Sequence, residues 1–151
     1  MLYLIISLLF GINLQTVEYS EINNSVIVIS DNLVCKDCLA TIAALDSLWK
    51  AKYKTILVSS AMFNKESVYL IKNLFEDRIE FDEIYFDKKA KKMGFSVIKI
   101  NDYTFDKTPA LIIKINNKEK IIKFEEMFSG NNYKEKVKQL IEKSIKELEE
   151  K

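Results

Sequence analysis

The two cysteines of the chain, Cys35 and Cys38, are separated by two residues and are the only thiols in the sequence. They follow the apolar run Val26–Ile29 and open a stretch with helical periodicity, which places them at a strand-to-helix turn. Two thiols with this spacing can close and open a disulfide. Free N–H groups and the positive end of the helix dipole favour the thiolate form of the first thiol. The motif therefore predicts thiol–disulfide chemistry.

Composition limits the other chemistry that the chain could perform. The 151 residues suit one domain, and 23 basic residues nearly balance 22 acidic ones without a block of one sign, so nothing indicates nucleic-acid binding. Histidine is absent, which removes the commonest general base and metal ligand. A structural zinc site needs four ligands, mostly Cys or His, so no metal and no other cofactor is expected. Thiol exchange needs no imidazole, because the thiolate is itself the nucleophile.

The N-terminal segment differs from the rest of the chain. Residues 2–12 are almost purely apolar and uncharged, too short to span a bilayer but of the length found in secretory signal peptides. An N-terminal core strand is the alternative interpretation. We predict a signal peptide over residues 1–16 and one domain over 17–151. The predicted location is extracytoplasmic, in the periplasm or cell envelope, where the cysteine pair works in an oxidising compartment.

Apolar runs alternate with helical patterns along the rest of the chain, which predicts an α/β domain. An Asn116-Asn117 turn inside the last strand pair predicts a hairpin, so the central sheet is expected to be mixed, with helices on both faces. Strands are predicted at 26–30, 55–60, 81–86, 96–100, 110–115 and 120–124, and helices at 35–53, from Asn64 onward, at 87–93 and at 131–151, with a polar loop over 101–107.

The only proline, Pro109, follows Thr108 and comes directly before the apolar strand 110–115. With this proline, the cysteine pair and the strand order between them, the chain resembles the thioredoxin fold, most closely the redoxin branch of extracytoplasmic thiol–disulfide reductases and thiol peroxidases. The stretches VIVISDNLVCKDCLATI, IYFDKKAKKMGF and KTPALIIKINNKEKIIKF and the closing helix carry the resemblance. Together they cover the chain from about Val26 to its end.

The resemblance implies a role for each residue of this site. The Thr108–Pro109 peptide bond is expected to be cis and to face the disulfide. Cys35 is expected to attack, because it lies nearest the exposed helix end, and Cys38 to resolve the mixed disulfide. The predicted substrate-binding residues are Thr108, Pro109, Val34, Lys36 and Asp37.

The chain departs from thioredoxins at the position of one buried acid. Thioredoxins carry that acid six residues before the first cysteine, where this chain has Ile29. The acid accepts the proton of the second cysteine. Glu80, Asp82 and Asp102 are candidates to replace it here.

These observations predict an exported reductase that acts as a monomer on a protein or small-molecule disulfide and is recharged by an upstream thiol electron donor. A thioredoxin-like binding module without turnover is the alternative. A thiol peroxidase fits less well, since no Pro or Thr precedes Cys35 closely and Arg78 is the only arginine. Among the aromatic residues, Tyr103 and Phe105 either line a substrate groove or anchor their loop. The aromatic residues interpreted as core packing are Trp49, Phe75, Tyr85 and Phe86.

Overall fold

A computed structural model describes residues 19–30, 35–59, 81–86, 98–100 and 103–150. The predicted signal peptide, the helix predicted from Asn64 and the helical turn predicted over 87–93 lie outside these ranges. Within them, no helix combines the length and the apolar character needed to cross a membrane.

The described strands form a mixed five-stranded sheet and a separate hairpin. The sheet has the order β3-β2-β1-β6-β7, in which β1, β2 and β3 are parallel and β6 is antiparallel to both of its neighbours. The α/β class and the mixed sheet predicted from the sequence are thereby confirmed. The strands are β1 (Ser25–Ser30), β2 (Lys54–Ser59), β3 (Glu83–Phe86), β4 (Ile98–Ile100), β5 (Tyr103–Phe105), β6 (Ala110–Ile115) and β7 (Lys118–Ile122).

The described helices are α1 (Lys36–Ala43), α2 (Phe124–Phe128) and α3 (Tyr133–Glu149), with short 3-10 helices at Tyr19–Glu21 and Asp46–Leu48. The helix predicted over 35–53 is therefore wrong in its length. After Ala43 the backbone forms hydrogen bonds between residues three positions apart. The Leu45 N–H, for example, donates to the Ile42 carbonyl oxygen at 3.0 Å. This tighter turn keeps Trp49 directed into the core, so the apolar periodicity continues although the α-helix has ended.

Two other predictions are wrong for local reasons. The polar loop predicted over 101–107 contains β5, which pairs antiparallel with β4. This strand is short and ends in the buried Phe105, but the polar residues on both sides of the strand mask its pattern in the sequence. The hairpin is confirmed, yet its second strand begins at Lys118, because Asn116 and Asn117 both adopt positive φ and complete a tight two-residue turn. Phe124 begins α2 instead of ending that strand.

The two strands β1 and β6 are buried on both faces, with all six residues of each strand buried. One face packs against α1 and α3, and the inward residues predicted for the last helix are confirmed, with Leu140 only partly buried. Members of this first cluster include Val26, Val28, Leu39, Ile42, Val137, Ile141, Ile145 and Leu148. The second face carries Ile27 and Ile29 together with Phe105 from β5.

One carboxylate joins three chain segments beside the second face. Glu119 on β7 accepts hydrogen bonds from the hydroxyls of Tyr19 and Tyr103, the latter at 2.6 Å. Lys114, 8% exposed, donates to the Tyr19 carbonyl oxygen at 3.0 Å, and its Nζ lies 4.4 Å from the centre of the Tyr19 ring. Desolvation opposes ionisation of Glu119, but the tyrosine hydrogen bonds and the Lys114 charge outweigh it and lower the pKa of this carboxyl group.

Replacing this carboxylate by an amide should make the stability of the domain less dependent on pH. Because the pKa of Glu119 is lower in the folded state, its contribution is complete above the ordinary value of 4.5 and is lost as pH falls through the folded pKa. We expect Glu119→Gln to reduce the free energy of unfolding by about 1–2 kcal/mol near neutral pH, as for hydrogen bonds to a charged group. Urea unfolding of both proteins from neutral to acid pH checks this, and a difference that stays constant with pH contradicts it.

Candidate functional site

The predicted cysteine pair lies at the start of α1 and is joined as a disulfide, with the two Cα atoms 5.2 Å apart. Cys35 is the N-cap residue of the helix, and its Sγ accepts a hydrogen bond from the backbone N–H of Cys38 at 3.2 Å. The helix thus directs one of its unpaired N–H groups at the first sulfur. A negative charge on that sulfur is favoured there, because this N–H and the helix dipole both point at it.

The two cysteines differ in their access to solvent. Cys35 is exposed, whereas Cys38 is only 7% exposed and faces the core together with Leu39 and Ile42 of the same helix. Cys35 is therefore accessible to a molecule in solution, whereas Cys38 is shielded from it.

The first turn of α1 is held by its own side chains and by the core. The Thr41 hydroxyl donates to the Asp37 carbonyl at 2.8 Å, and Thr41 is buried. The Asp37 carboxylate is exposed in the first turn, where the dipole favours an acidic residue. Lys36 begins the helix, but its side chain and the whole of Val34 lie outside the described part of the structure.

The Thr108–Pro109 peptide bond is cis, as the sequence analysis expected. Pro109 is buried and Thr108 is half-buried directly before β6. Ile29 pairs with the first residue of β6, Ala110, so the next position along the two strands brings Pro109 beside Ser30. Ser30 is the last residue of β1, and α1 begins six positions further along the chain, at Lys36. The sheet therefore brings the proline to the end at which α1 begins.

The candidate proton acceptors do not reach Cys38 in the described part of the chain. The Asp82 carboxylate accepts a hydrogen bond from the backbone N–H of Thr55 at 2.8 Å. Thr55 lies at the beginning of β2, whereas the cysteine pair follows the end of the parallel strand β1, so Asp82 lies at the opposite end of these strands from the cysteines. Glu80 and Asp102 lie outside the described residues. Ile29 is fully buried on the second face, away from α1.

The described contacts of the two loop aromatic residues support the anchoring interpretation. Phe105 is 3% exposed within the second cluster, and the Tyr103 hydroxyl donates to Glu119, so both side chains hold their segment to the sheet. Trp49 is 1% exposed and packs in the core as predicted, with its Nε1 donating to the Thr55 hydroxyl at 2.9 Å. Phe75 and the side chains of Tyr85 and Phe86 lie outside the described part.

A cleft beside the first turn of α1 was not predicted from the sequence. A cleft of about 430 Å³ opens between α1 and the start of α3, with Asp37 and Ala44 on one side and Tyr133 on the other. Phe128 lies next to Tyr133, and Phe124 lies next to Phe128. The clustering of three aromatic residues around the turn at Gly130 was the available signal in the sequence, but only the fold places Tyr133 at the cleft beside α1.

The described residues contain no group of three or more potential ligands that could hold a metal ion. No protein-family model, no curated protein and no solved structure matches the chain. The cysteine pair and the elements that position it are therefore the features that indicate a function.

Proposed function

We propose that the chain is an exported thiol–disulfide oxidoreductase of the thioredoxin-like, redoxin type, and that it works as a reductase. The observation that carries the proposal is the disulfide at the start of α1, in which an exposed Cys35 precedes a buried Cys38. An inert disulfide across so short a loop would stabilise the fold little, because it removes little entropy from the unfolded chain. A redox role explains the pair better than a structural one.

The topology supports the thioredoxin-like part of the proposal. The cysteine pair follows β1, the central strand, and Pro109 leads into β6, its antiparallel neighbour. A βαβ unit followed by a hairpin and a closing helix is the arrangement that the resemblance implies. The apolar segment over residues 2–12 supports export.

The proposed reaction moves two electrons from the cysteine pair to a substrate disulfide. The Cys35 thiolate attacks one substrate sulfur, the substrate S–S bond breaks, and the first substrate thiolate leaves. Cys38 then loses its proton to that thiolate and attacks the Cys35 sulfur, which breaks the mixed disulfide and releases the second substrate thiolate. The second substrate thiolate takes a proton from solvent, so the substrate leaves as two thiols, and Cys35 and Cys38 are oxidised to the disulfide described above.

This proton transfer differs from the one that a buried acid would provide. Ile29 occupies the position of that acid, and Asp82 is bound to a backbone N–H elsewhere. In the proposed cycle, the substrate thiolate released in the first step takes the proton of Cys38. The cycle needs no cofactor, and an upstream thiol donor returns the pair to the reduced state.

The proposal is tested by measuring the reduction potential of the Cys35–Cys38 pair. We expect a reversible midpoint between about −270 and −120 mV, the span of known exchange proteins, with a reductase towards the negative end. Alkylation of free thiols after equilibration in dithiothreitol and glutathione buffers measures it. A pair that stays oxidised below about −300 mV, as structural disulfides do, would overturn the proposal and favour a binding module without turnover.

A further inference from the structure

Ser30, the last residue of β1, carries a buried hydroxyl that the proposed exchange reaction does not use. It is only 2% exposed. Side chains alternate between the two faces of a strand, and Val26 and Val28 share the first cluster with Leu39 of α1. Ser30 follows Val28 by two positions, so its side chain lies on the same face, the one that packs against α1. The register of β1 with β6 also sets Ser30 beside Pro109.

The path of α1 brings Cys38 to the level of this hydroxyl. The helix begins beyond the end of β1, and the chain then returns to the beginning of β2, which is parallel to β1, so α1 runs back along the strand. Ile42 shares the first cluster with Val28. Four residues of helix, from Ile42 back to Cys38, cover about 6 Å. Two residues of strand, from Val28 on to Ser30, cover about 6.6 Å. Because the two steps match, the side chains of Cys38 and Ser30 fall at the same level between helix and sheet.

The surroundings of this pair are apolar. Cys38 is 7% exposed, and the strands β1 and β6 carry only apolar side chains and the Ser30 hydroxyl on the face towards α1. The charged groups described nearby are the Asp37 carboxylate on α1 and the Lys134 ammonium on α3, both on exposed residues that line the cleft between these helices. A negative charge on the Cys38 sulfur therefore loses most of its hydration, which opposes its formation. A hydroxyl group can offset this loss, because its O–H rotates freely and donates to an acceptor within reach.

Building on the proposed function, we propose that the Ser30 hydroxyl donates a hydrogen bond to the Cys38 sulfur while this cysteine resolves the mixed disulfide. In that step Cys38 gives its proton to the released substrate thiolate, its sulfur bonds to the Cys35 sulfur, and the bond between Cys35 and the substrate breaks. Ser30 keeps its own proton and stabilises the charge on the Cys38 sulfur until the new bond forms. The first step, attack by Cys35, makes no use of Ser30.

Timing the two steps separately in one reaction tests this role. The reduced full chain is mixed with dithiobis(nitrobenzoate), which releases one coloured thiolate when Cys35 attacks and a second, in a concentration-independent phase, when Cys38 resolves. This aromatic thiolate is too weak a base to take the Cys38 proton, so the second phase follows the ionisation of Cys38 itself. Near neutral pH we expect Ser30→Ala to leave the first phase within about twofold and to slow the second about tenfold, as for a lost hydrogen bond to a charged group.

The pH profile of the second phase separates a hydrogen-bond donor from a packing role. Without the donor the thiolate forms less readily, so the midpoint of the profile should move to higher pH in Ser30→Ala. Above both midpoints Cys38 is ionised in both proteins. There Ser30→Ala should be at least as fast as the wild type, since a less stabilised thiolate is the stronger nucleophile. A packing defect would instead slow the second phase at every pH.

The matched control is Ser25→Ala, at the other end of the same strand. Ser25 is 1% exposed, and its hydroxyl donates to the Asn23 carbonyl oxygen at 2.9 Å. This variant loses an equally buried hydroxyl far from the cysteines and should leave both phases and the midpoint unchanged. Ser30→Thr keeps the hydroxyl and should keep the wild-type midpoint. If Ser30→Ala does not fold, Ser30→Val is compared with Ser30→Thr, because these two β-branched side chains differ only in the hydroxyl.

The outcomes distinguish the role of Ser30 from the proposed function. An unchanged midpoint in Ser30→Ala, or in Ser30→Val where that variant is used, overturns the role of Ser30 and leaves the exchange reaction standing. An equal shift in Ser25→Ala, or equal slowing of both phases at every pH, overturns it as well. A wild-type chain without a second phase overturns the proposed function, and the role of Ser30 with it.

Discussion

Cys38→Ser is expected to accumulate a covalent adduct between Cys35 and its substrate, whereas Cys35→Ser is expected to lower exchange to the uncatalysed rate. The asymmetry follows from access and from the helix. Cys35 is exposed and accepts the Cys38 N–H at 3.2 Å, so it attacks first, and Cys38 is buried behind it. Without the second thiol, nothing within the chain resolves the mixed disulfide.

Acid quenching, thiol alkylation and non-reducing electrophoresis measure the adduct, and mass spectrometry identifies the linked cysteine. Cys35→Ser carried through the same steps is the matched control, because it keeps one thiol but removes the exposed one. Adducts formed equally by the two variants would contradict the assignment of attacking and resolving roles. Absence of any adduct with Cys38→Ser would count against the exchange mechanism as a whole.

The elements predicted best are those whose sequence carries a strong, uninterrupted pattern. The run of β6, apolar except for Lys114, predicted its bounds without error, because a strand buried on both faces carries few polar positions. The end of α1 was missed because no Gly or Pro marks it and the following 3-10 turn keeps apolar residues at similar spacing. Strand β5 was missed because three residues are too few for an alternating pattern to stand out.

The cysteine pair was predicted from spacing alone, because residues three apart at a helix start are neighbours whatever the rest of the chain does. The position of Pro109 beside the end of β1 depends on the antiparallel pairing of β1 with β6, which no local pattern specifies. The cleft between α1 and α3 depends on how two distant helices pack on one face of the sheet. The local geometry of the cysteine pair was therefore predictable, and the cleft between the two helices was not.

The second large effect concerns the folding of the domain. Trp49 is 1% exposed, and its Nε1 donates to the Thr55 hydroxyl at 2.9 Å where β2 begins. Trp49→Ala leaves a large cavity in the first cluster and removes this hydrogen bond. We expect it to lower the free energy of unfolding by about 3–5 kcal/mol, a large share of the stability of a domain of this size.

Urea unfolding followed by circular dichroism measures this loss, and Trp49→Phe is the matched control. Phenylalanine keeps most of the buried ring but cannot donate to Thr55, so its loss should be smaller, about 1–3 kcal/mol. A loss below about 1 kcal/mol for Trp49→Ala would contradict the core position of this side chain. Trp49 lies near the beginning of β2, at the end of the sheet opposite the cysteine pair, so the reduction potential of the disulfide should not change in the fraction that remains folded. A shift in that potential would show that the cysteine pair depends on packing beyond its own helix.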